Sequence, residues 1–176
     1  LLMLPEPINS TTHQFEAKLN YSADRYSLSG GYSGSLYNNA YSTMTPSVPG
    51  SLYNPVGNLL PLSAGLQPIL NLPMYLPPDN QAHEFFLMGN YSFSKTAKAT
   101  FKAAYTHATQ TQDFGAGSNA PAGRSDLGGE LNTLFLHSSI SARPIPKLTL
   151  RANVNYDDKK DETPIALYNT EGTATF

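Results

Sequence analysis

Four histidines are the side chains in this sequence that most readily suggest metal or haem chemistry, because neutral imidazole is the commonest metal ligand in proteins. They stand at His13, His83, His107 and His137, and no two share the i, i+2 or i, i+4 spacing of a typical ligand pair. Histidines without convergent ligands are usually hydrogen-bonded or solvated. The spacing therefore predicts no metal site and no axial haem ligand.

An acidic stretch at residues 157–162 carries carboxylate oxygens, the ligands that calcium prefers. It lacks the D-x-D-x-D-G spacing of a calcium loop, and Lys159 and Lys160 balance its charge, which is typical of a solvated turn. No G-x-S-x-G nucleophile elbow occurs. Gly30 and Gly31 lie within a predicted strand, so they do not form a phosphate loop. These patterns predict that the chain is not an enzyme.

The composition excludes further classes of function. The 176 residues carry a formal net charge of −2, which argues against a nucleic-acid-binding protein that relies on a basic surface. Cysteine is absent, so the chain has no disulfide, no thiol nucleophile and no covalent c-type haem attachment of its own. We therefore expect no cofactor in this chain. Any haem would be carried by a partner.

Alternation of apolar and polar side chains predicts the elements that hold these residues. Between residues 14 and 23 the odd-numbered side chains are apolar or aromatic and the even-numbered ones are polar, which is the period of a β-strand. The pattern recurs in five later segments, and the six segments together pair into three hairpins with short turns. The predicted strands cover residues 11–23, 26–38, 82–94, 97–111, 128–142 and 148–158.

The connections between these strands favour a membrane protein. Turns within the hairpins are short, whereas residues 39–79 and 112–126 form long loops, a layout typical of transmembrane β-barrels with periplasmic turns and extracellular loops. Tyrosines such as Tyr21, Tyr26 and Tyr91 lie near the short turns, as expected at a bilayer interface. We predict an all-β chain that is one antiparallel transmembrane β-barrel segment across residues 1–176.

Two questions stay open at this point: whether the sheet is a membrane barrel or a soluble sandwich, and how six strands could close a barrel. A soluble antiparallel sandwich also has alternating strands, although its surface would carry more lysine and glutamate than this chain does. Six strands are also fewer than the eight of the smallest single-chain bacterial barrels. The chain is then part of a larger barrel, or hides further strands, or closes a barrel with other chains. We expect the first.

Several short phrases occur in order along most of the chain, beside the predicted strands. The phrases are LPEPIN at 4–9, TTHQ at 11–14, PPDNQAH at 77–83, RPIPKL at 143–148, YDD at 156–158 and TP at 163–164. Together with the strands, they resemble the MtrB/PioB family of decahaem-associated outer-membrane proteins.

This resemblance implies a bacterial outer-membrane barrel, longer than this chain, that sheathes a multihaem c-type cytochrome. It also implies that the cytochrome threads the barrel and often docks to a second, outer cytochrome, while the barrel insulates electron transfer as a scaffold and not as a catalyst. If the apolar face contacts lipid, the inward side chains carry charges of both signs, as a wall that holds a protein partner should. These candidate partner contacts are Glu16, Lys18, Glu84, Lys98, Lys102, Arg151 and Asp157.

The loop at 39–79 is too rich in proline and leucine to be merely solvated. We expect it either to fold over the extracellular mouth or onto a partner cytochrome, or to pack on the rim of its own barrel.

The predicted function is that of an outer-membrane barrel that encloses and insulates a multihaem cytochrome. The alternatives are a passive porin or solute channel, which would conduct ions without a cytochrome, and a soluble or surface β-sheet interaction module, which would not need detergent. The predicted partners are the cytochrome and membrane lipid, with no nucleic acid.

Overall fold

The computed structural model describes residues 6–48, 50–53, 56–61, 63, 65–115, 120 and 123–165. These residues form ten strands and one short helix. In chain order the elements are β1 Ser10–Ser22, β2 Tyr26–Asn39, β3 Thr43–Met44, β4 Ser51–Tyr53, β5 Leu59–Pro61, α1 Leu66–Leu70, β6 Met74–Tyr75, β7 Asn80–Ser94, β8 Ala97–Gln110, β9 Gly129–Ile145 and β10 Leu148–Asp161.

The six long strands form one antiparallel sheet in the order β1-β2-β7-β8-β9-β10. Each strand therefore lies beside its sequence neighbour, except that the long loop separates β2 from β7 along the chain. The sheet is open, and β1 and β10 are its two edges. The alternation seen in the sequence explains these strands, because a period of two places every second side chain on the same face.

The third hairpin turn is tighter than the sequence predicts. Strand β9 continues to Ile145, past the predicted end at residue 142, and β10 begins at Leu148. The Arg143 N–H donates to the Thr96 carbonyl at 2.8 Å, which extends the pairing with the β7–β8 turn. The pairing of β9 with β10 shifts its register between Leu148 and Leu150. Within the turn, Lys147 has a positive φ of 71°.

The sheet has no globular core in the described part of the chain. The buried hydrophobic residues there are Val48, Leu76 and Ala104, whereas Leu19 is 83% exposed and Val154 is 68% exposed. The two further sheets, β3-β6 and β4-β5, have only two strands each and belong to the long loop. A β-sandwich needs a second sheet packed over its apolar face, and the described residues supply none. The described residues also include no helix long and apolar enough to cross a membrane.

The described residues of the long loop form a small lobe. Its outer strands β3 and β6 pair, and the Val48 N–H donates to the Asn71 side chain at 2.7 Å. The Tyr75 hydroxyl donates to the Gly115 carbonyl at 3.1 Å, so the lobe contacts the β8–β9 loop of the same chain. This contact favours packing on the rim. Positions 49, 54, 55, 62 and 64 of the predicted loop lie outside the described residues.

Asp79 fastens the two ends of this lobe to the sheet. Its Oδ1 accepts the N–H of Asn39 at 2.7 Å, and its own N–H donates to Gln112 Oε1 at 2.7 Å. We expect Asp79→Ala to leave the Asn39 N–H unpaired, at a local cost of about 1–3 kcal/mol. Limited proteolysis should then cut residues 40–78 several-fold faster while the six long strands stay intact.

Asp24→Ala is the matched control for this experiment, because it removes a carboxylate from a hairpin turn at the opposite end of the sheet. Equal cleavage rates in the two variants would show that Asp79 does not fasten the lobe.

Candidate functional site: the two faces of the sheet

One face of the sheet is apolar over most of its height, and we call it the apolar face. The register places Tyr32 opposite both Ala17 and Phe85, and Phe85 opposite Tyr105. Tyr32 contacts the rings of Phe15 and Phe85, with centroids 5.7 and 4.9 Å apart. Because cross-strand partners project to the same side, these rings form a continuous band across four strands.

Tyrosine and phenylalanine rings border this band at one end, and a histidine ring borders it at the other. Near the short turns, Tyr21 contacts Tyr26 at 5.8 Å and Tyr91 contacts Phe93 at 4.9 Å between ring centroids. At the other end, His83 Nδ1 lies 2.6 Å from the Tyr32 hydroxyl. From Phe93 to His83 the strand rises about 33 Å at ~3.3 Å per residue, or about 25 Å for a tilt near 40°. This height matches the apolar band of an outer-membrane barrel.

The opposite face, which we call the polar face, holds all seven residues predicted to contact a partner. Glu16 and Glu84 both oppose Ser33, while Lys98 and Arg151 both oppose Ser141. Lys18, Lys102 and Asp157 lie between the level of Ser33 and the level of Ser141 in the register of the sheet. The residues therefore lie on one wall as a mixture of both charge signs, and their contact with a partner remains a prediction. The seven are Glu16, Lys18, Glu84, Lys98, Lys102, Arg151 and Asp157.

A cluster of large apolar side chains interrupts the polar face at mid-height. Phe86 opposes Ala104, and Ala104 opposes Phe135, so the two rings flank a small residue that is only 6% exposed. The Lys102 ammonium lies 5.8 Å from the centroid of the Phe135 ring. We call Phe86, Ala104 and Phe135, with Met88 one row away, the aromatic patch.

The end of the sheet away from the short turns, the loop end, carries a hydrogen-bonded network on the apolar face. Asn132 Oδ1 accepts the Tyr105 hydroxyl at 2.7 Å and lies 2.8 Å from His107 Nδ1. Asn132 Nδ2 donates to Glu130 at 3.2 Å and to Glu162 at 2.8 Å. This network satisfies polar groups where the apolar band ends, as expected at headgroup level.

The acidic stretch is a strand and not the solvated turn that its composition indicates, because β10 continues to Asp161. Successive side chains in a strand project to opposite faces, so Asp157 and Asp158 cannot converge on one ion. No group of three metal-ligating side chains occurs among the described residues. The Glu162 carboxylate, which follows the strand, accepts a hydrogen bond from Lys160. That bond lowers the pKa of Glu162 and keeps it ionised.

Comparison with known proteins gives this arrangement a context. The model of the MtrB/PioB family, described as outer membrane beta-barrel porins, matches residues 1–175. The chain belongs to this family. It is also 26% identical over 168 residues to a protein named Outer membrane protein MtrB from Shewanella baltica (strain OS185). The alignment covers 93% of this chain and 22% of that relative.

Membership of the MtrB/PioB family confirms the resemblance and the localisation predicted from the sequence: this is an outer-membrane protein of a β-barrel family. The six-stranded open sheet is compatible with such a barrel, since the chain spans about a fifth of the length of the relative it matches. Among the described residues, β1 and β10 each pair with a long strand on one side only, and a membrane requires the backbone groups of such an edge to be paired by a further strand.

Two features of this MtrB/PioB chain are not apparent from residue spacing. The aromatic patch unites residues up to 49 positions apart, although Phe86 and Met88 are visible in the sequence as exceptions to the alternation. Similarly, His83 and His107 become cross-strand partners, although they lie 24 positions apart along the chain. Each histidine has a hydrogen-bonding neighbour, which accounts for its polar ring on the apolar face.

Proposed function

We propose that this chain is part of the wall of an outer-membrane barrel that encloses and insulates a multihaem c-type cytochrome. The apolar face contacts lipid and the polar face contacts the cytochrome. The short turns are periplasmic, and the long loops lie at the cell exterior, where an outer cytochrome can dock. The chain acts as a scaffold and not as a catalyst, and it holds no cofactor of its own because the partner carries the haem.

The aromatic patch is the observation that carries this proposal. A water-filled pore is lined by polar side chains, and exposed apolar clusters rimmed by polar groups mark protein interaction sites. Phe86 and Phe135 lie on the face opposite the lipid, and both are half-buried in the isolated wall. A protein inside the barrel would cover these rings. The mixed charges around them fit a protein surface better than they fit a pore that selects one sign of ion.

The physical demands of electron transfer support the same role. Electrons must cross about 30 Å of hydrocarbon between the two aqueous compartments. A closed barrel pairs all its backbone groups while leaving an interior wide enough for a protein. An occupied interior excludes bulk water and ions, so the barrel insulates the haems of the partner.

The test is a visible absorbance spectrum of the native protein, purified from outer membranes in mild detergent through a tag on this chain. We expect a haem Soret band that stays at constant stoichiometry through gel filtration. Because the chain has no cysteine for covalent haem attachment, the band would report a bound cytochrome. A colourless but folded barrel would contradict the proposal and favour the porin.

The aromatic patch can be tested in the same measurement. The double variant Phe86→Ser and Phe135→Ser should lose most of the haem absorbance per barrel. Ser33→Ala with Ser139→Ala, on the same face but outside the patch, is the matched control and should keep it. Equal haem content in the two variants would show that the patch does not contact the partner.

A further inference from the structure

Charge is distributed very unevenly between the two ends of this wall. At the short-turn end, Asp24 is the one acidic residue within the three hairpin turns and the strand residues beside them. The basic residues there are Arg25, Lys95, Lys98, Arg143, Lys147 and Arg151. The loop end has the opposite balance, with Asp79, Asp113, Asp126, Glu130, Asp158, Asp161 and Glu162 against Arg124, Lys159 and Lys160. The net charge of −2 for the whole chain hides this separation.

Five of the basic residues line one cavity of about 880 Å³. We call them the basic site: Arg25, Lys95, Lys98, Arg143 and Arg151. They come from all three hairpins, because the turns of neighbouring hairpins lie side by side in the sheet. Ser141 stands between Lys98 and Arg151 in the register, which places their backbones about 10 Å apart, or two strand spacings.

The cations of the basic site form no ion pair with a carboxylate among the described residues. The ion pairs in that part of the chain are His107 with Glu130 and Lys160 with Glu162. Asp24 is the single carboxylate that lines the cavity. A concave surface with four net positive charges concentrates its field outward and attracts anionic groups.

The position of the basic site on the sheet distinguishes between possible anions. Lys98 and Arg151 project from the polar face, as their register with Ser141 requires. Lipid contacts the opposite face in the proposed orientation, so phosphate headgroups cannot reach these two side chains from the bilayer. A molecule in the barrel interior can reach both.

We propose that the basic site docks an acidic surface of the protein enclosed by the barrel, at the periplasmic mouth. The ligand groups are carboxylates that the partner presents at this height, whether they belong to aspartate, glutamate or haem propionates. This inference rests on the proposed function. It adds that the partner is bound electrostatically at the basic site. The aromatic patch, higher on the same wall, supplies an apolar contact, so the two sites fix the partner along the barrel axis.

Such a site predicts a specific salt dependence. Exposed ion pairs weaken as salt screens them, over a Debye length of about 10 Å at 0.1 M, whereas apolar contacts do not. The basic site should therefore contribute strongly to partner retention at low ionic strength and little at high ionic strength. Its cations should also speed the first encounter with the partner.

The experiment uses the native protein, immobilised from outer membranes through its tag with the haem partner bound. The triple variant Lys98→Gln, Arg143→Gln and Arg151→Gln is compared with wild type during washes of rising NaCl, and haem absorbance per barrel is recorded. We expect the salt concentration that releases half of the haem to fall by roughly twofold or more, since three charge-assisted contacts are lost. The matched control removes three cations from the loop end, as Arg124→Gln, Lys159→Gln and Lys160→Gln, and should leave the release point unchanged.

Each outcome decides the proposal. Release at the same salt concentration in the triple variant and wild type would overturn the basic site, as would an equal fall in the control. A wild-type protein without haem would overturn the proposed function instead, and the two failures are therefore distinguishable. If the triple variant does not fold, as judged by heat-modifiable mobility on a denaturing gel, Lys95→Gln with Lys98→Gln provides the same comparison. Weaker association with phosphatidylglycerol vesicles at an unchanged release point would assign the cations to lipid and overturn the proposal.

Discussion

Leu87→Arg is expected to destabilise the membrane-inserted protein by about 2–4 kcal/mol, the cost of an arginine on the lipid face of a barrel near the bilayer centre. Leu87 lies midway along β7 on the apolar face, opposite Gly30 on one side and Ala103 on the other. Neither neighbour offers a carboxylate to the new charge. The guanidinium would have to reach the interface or draw water into the hydrocarbon.

The measurement is the denaturant midpoint of the native protein in phospholipid vesicles, followed by the mobility difference between heated and unheated samples. Ser33→Arg is the matched control, because Ser33 lies on the polar face between Glu16 and Glu84. An arginine there gains two carboxylate neighbours and should be tolerated. If Leu87→Arg were harmless while Ser33→Arg destabilised the protein, the assignment of lipid and interior to the two faces would be reversed.

Gly31→Val is expected to have the second large effect, a loss of about 1–3 kcal/mol from steric overlap within the sheet. A Cβ atom at Gly31 would lie 2.5 Å from the Ala17 carbonyl oxygen and 2.6 Å from the Phe86 ring. The carbonyl belongs to the neighbouring strand and cannot move without breaking the ladder. The Phe86 ring packs over Gly31, so the new side chain would displace it.

Two readouts separate these consequences. The denaturant midpoint reports the strain, and haem retention by the purified protein reports the displaced Phe86 ring. Ser35→Val introduces the same side chain on the same strand and face, at a position that already carries a Cβ, and should change neither readout. An unchanged midpoint for Gly31→Val would mean that β1 and β2 separate more readily than their continuous register suggests.

The sequence predicts the long strands well because their signal is local. The period of two is repeated in each strand, so Phe15 and Leu19 reveal their common face without any knowledge of neighbouring strands. Errors collect at strand ends, where the signal fades. The predicted end at residue 158 falls short of Asp161, and this is why residues 157–162 look like a charged turn in the sequence. The lobe at residues 40–78 has no regular period, so its short strands are not predicted.

By itself, the sequence determines the two faces of each strand, the three hairpins, the charge balance and the absence of cysteine, since each depends on residue identity or on neighbours a few positions apart. Only the tertiary structure decides what lies beside what across strands. Strand β2 pairs with β7 although a long loop separates them along the chain. The register between strands places Phe86, Ala104 and Phe135 directly opposite one another. Register likewise gathers the cations of three separate turns around one cavity. A shift of one residue would move a whole strand's side chains to the other face, so the hydrogen-bond ladder between strands, and not the pattern within any one of them, builds the proposed contact surfaces.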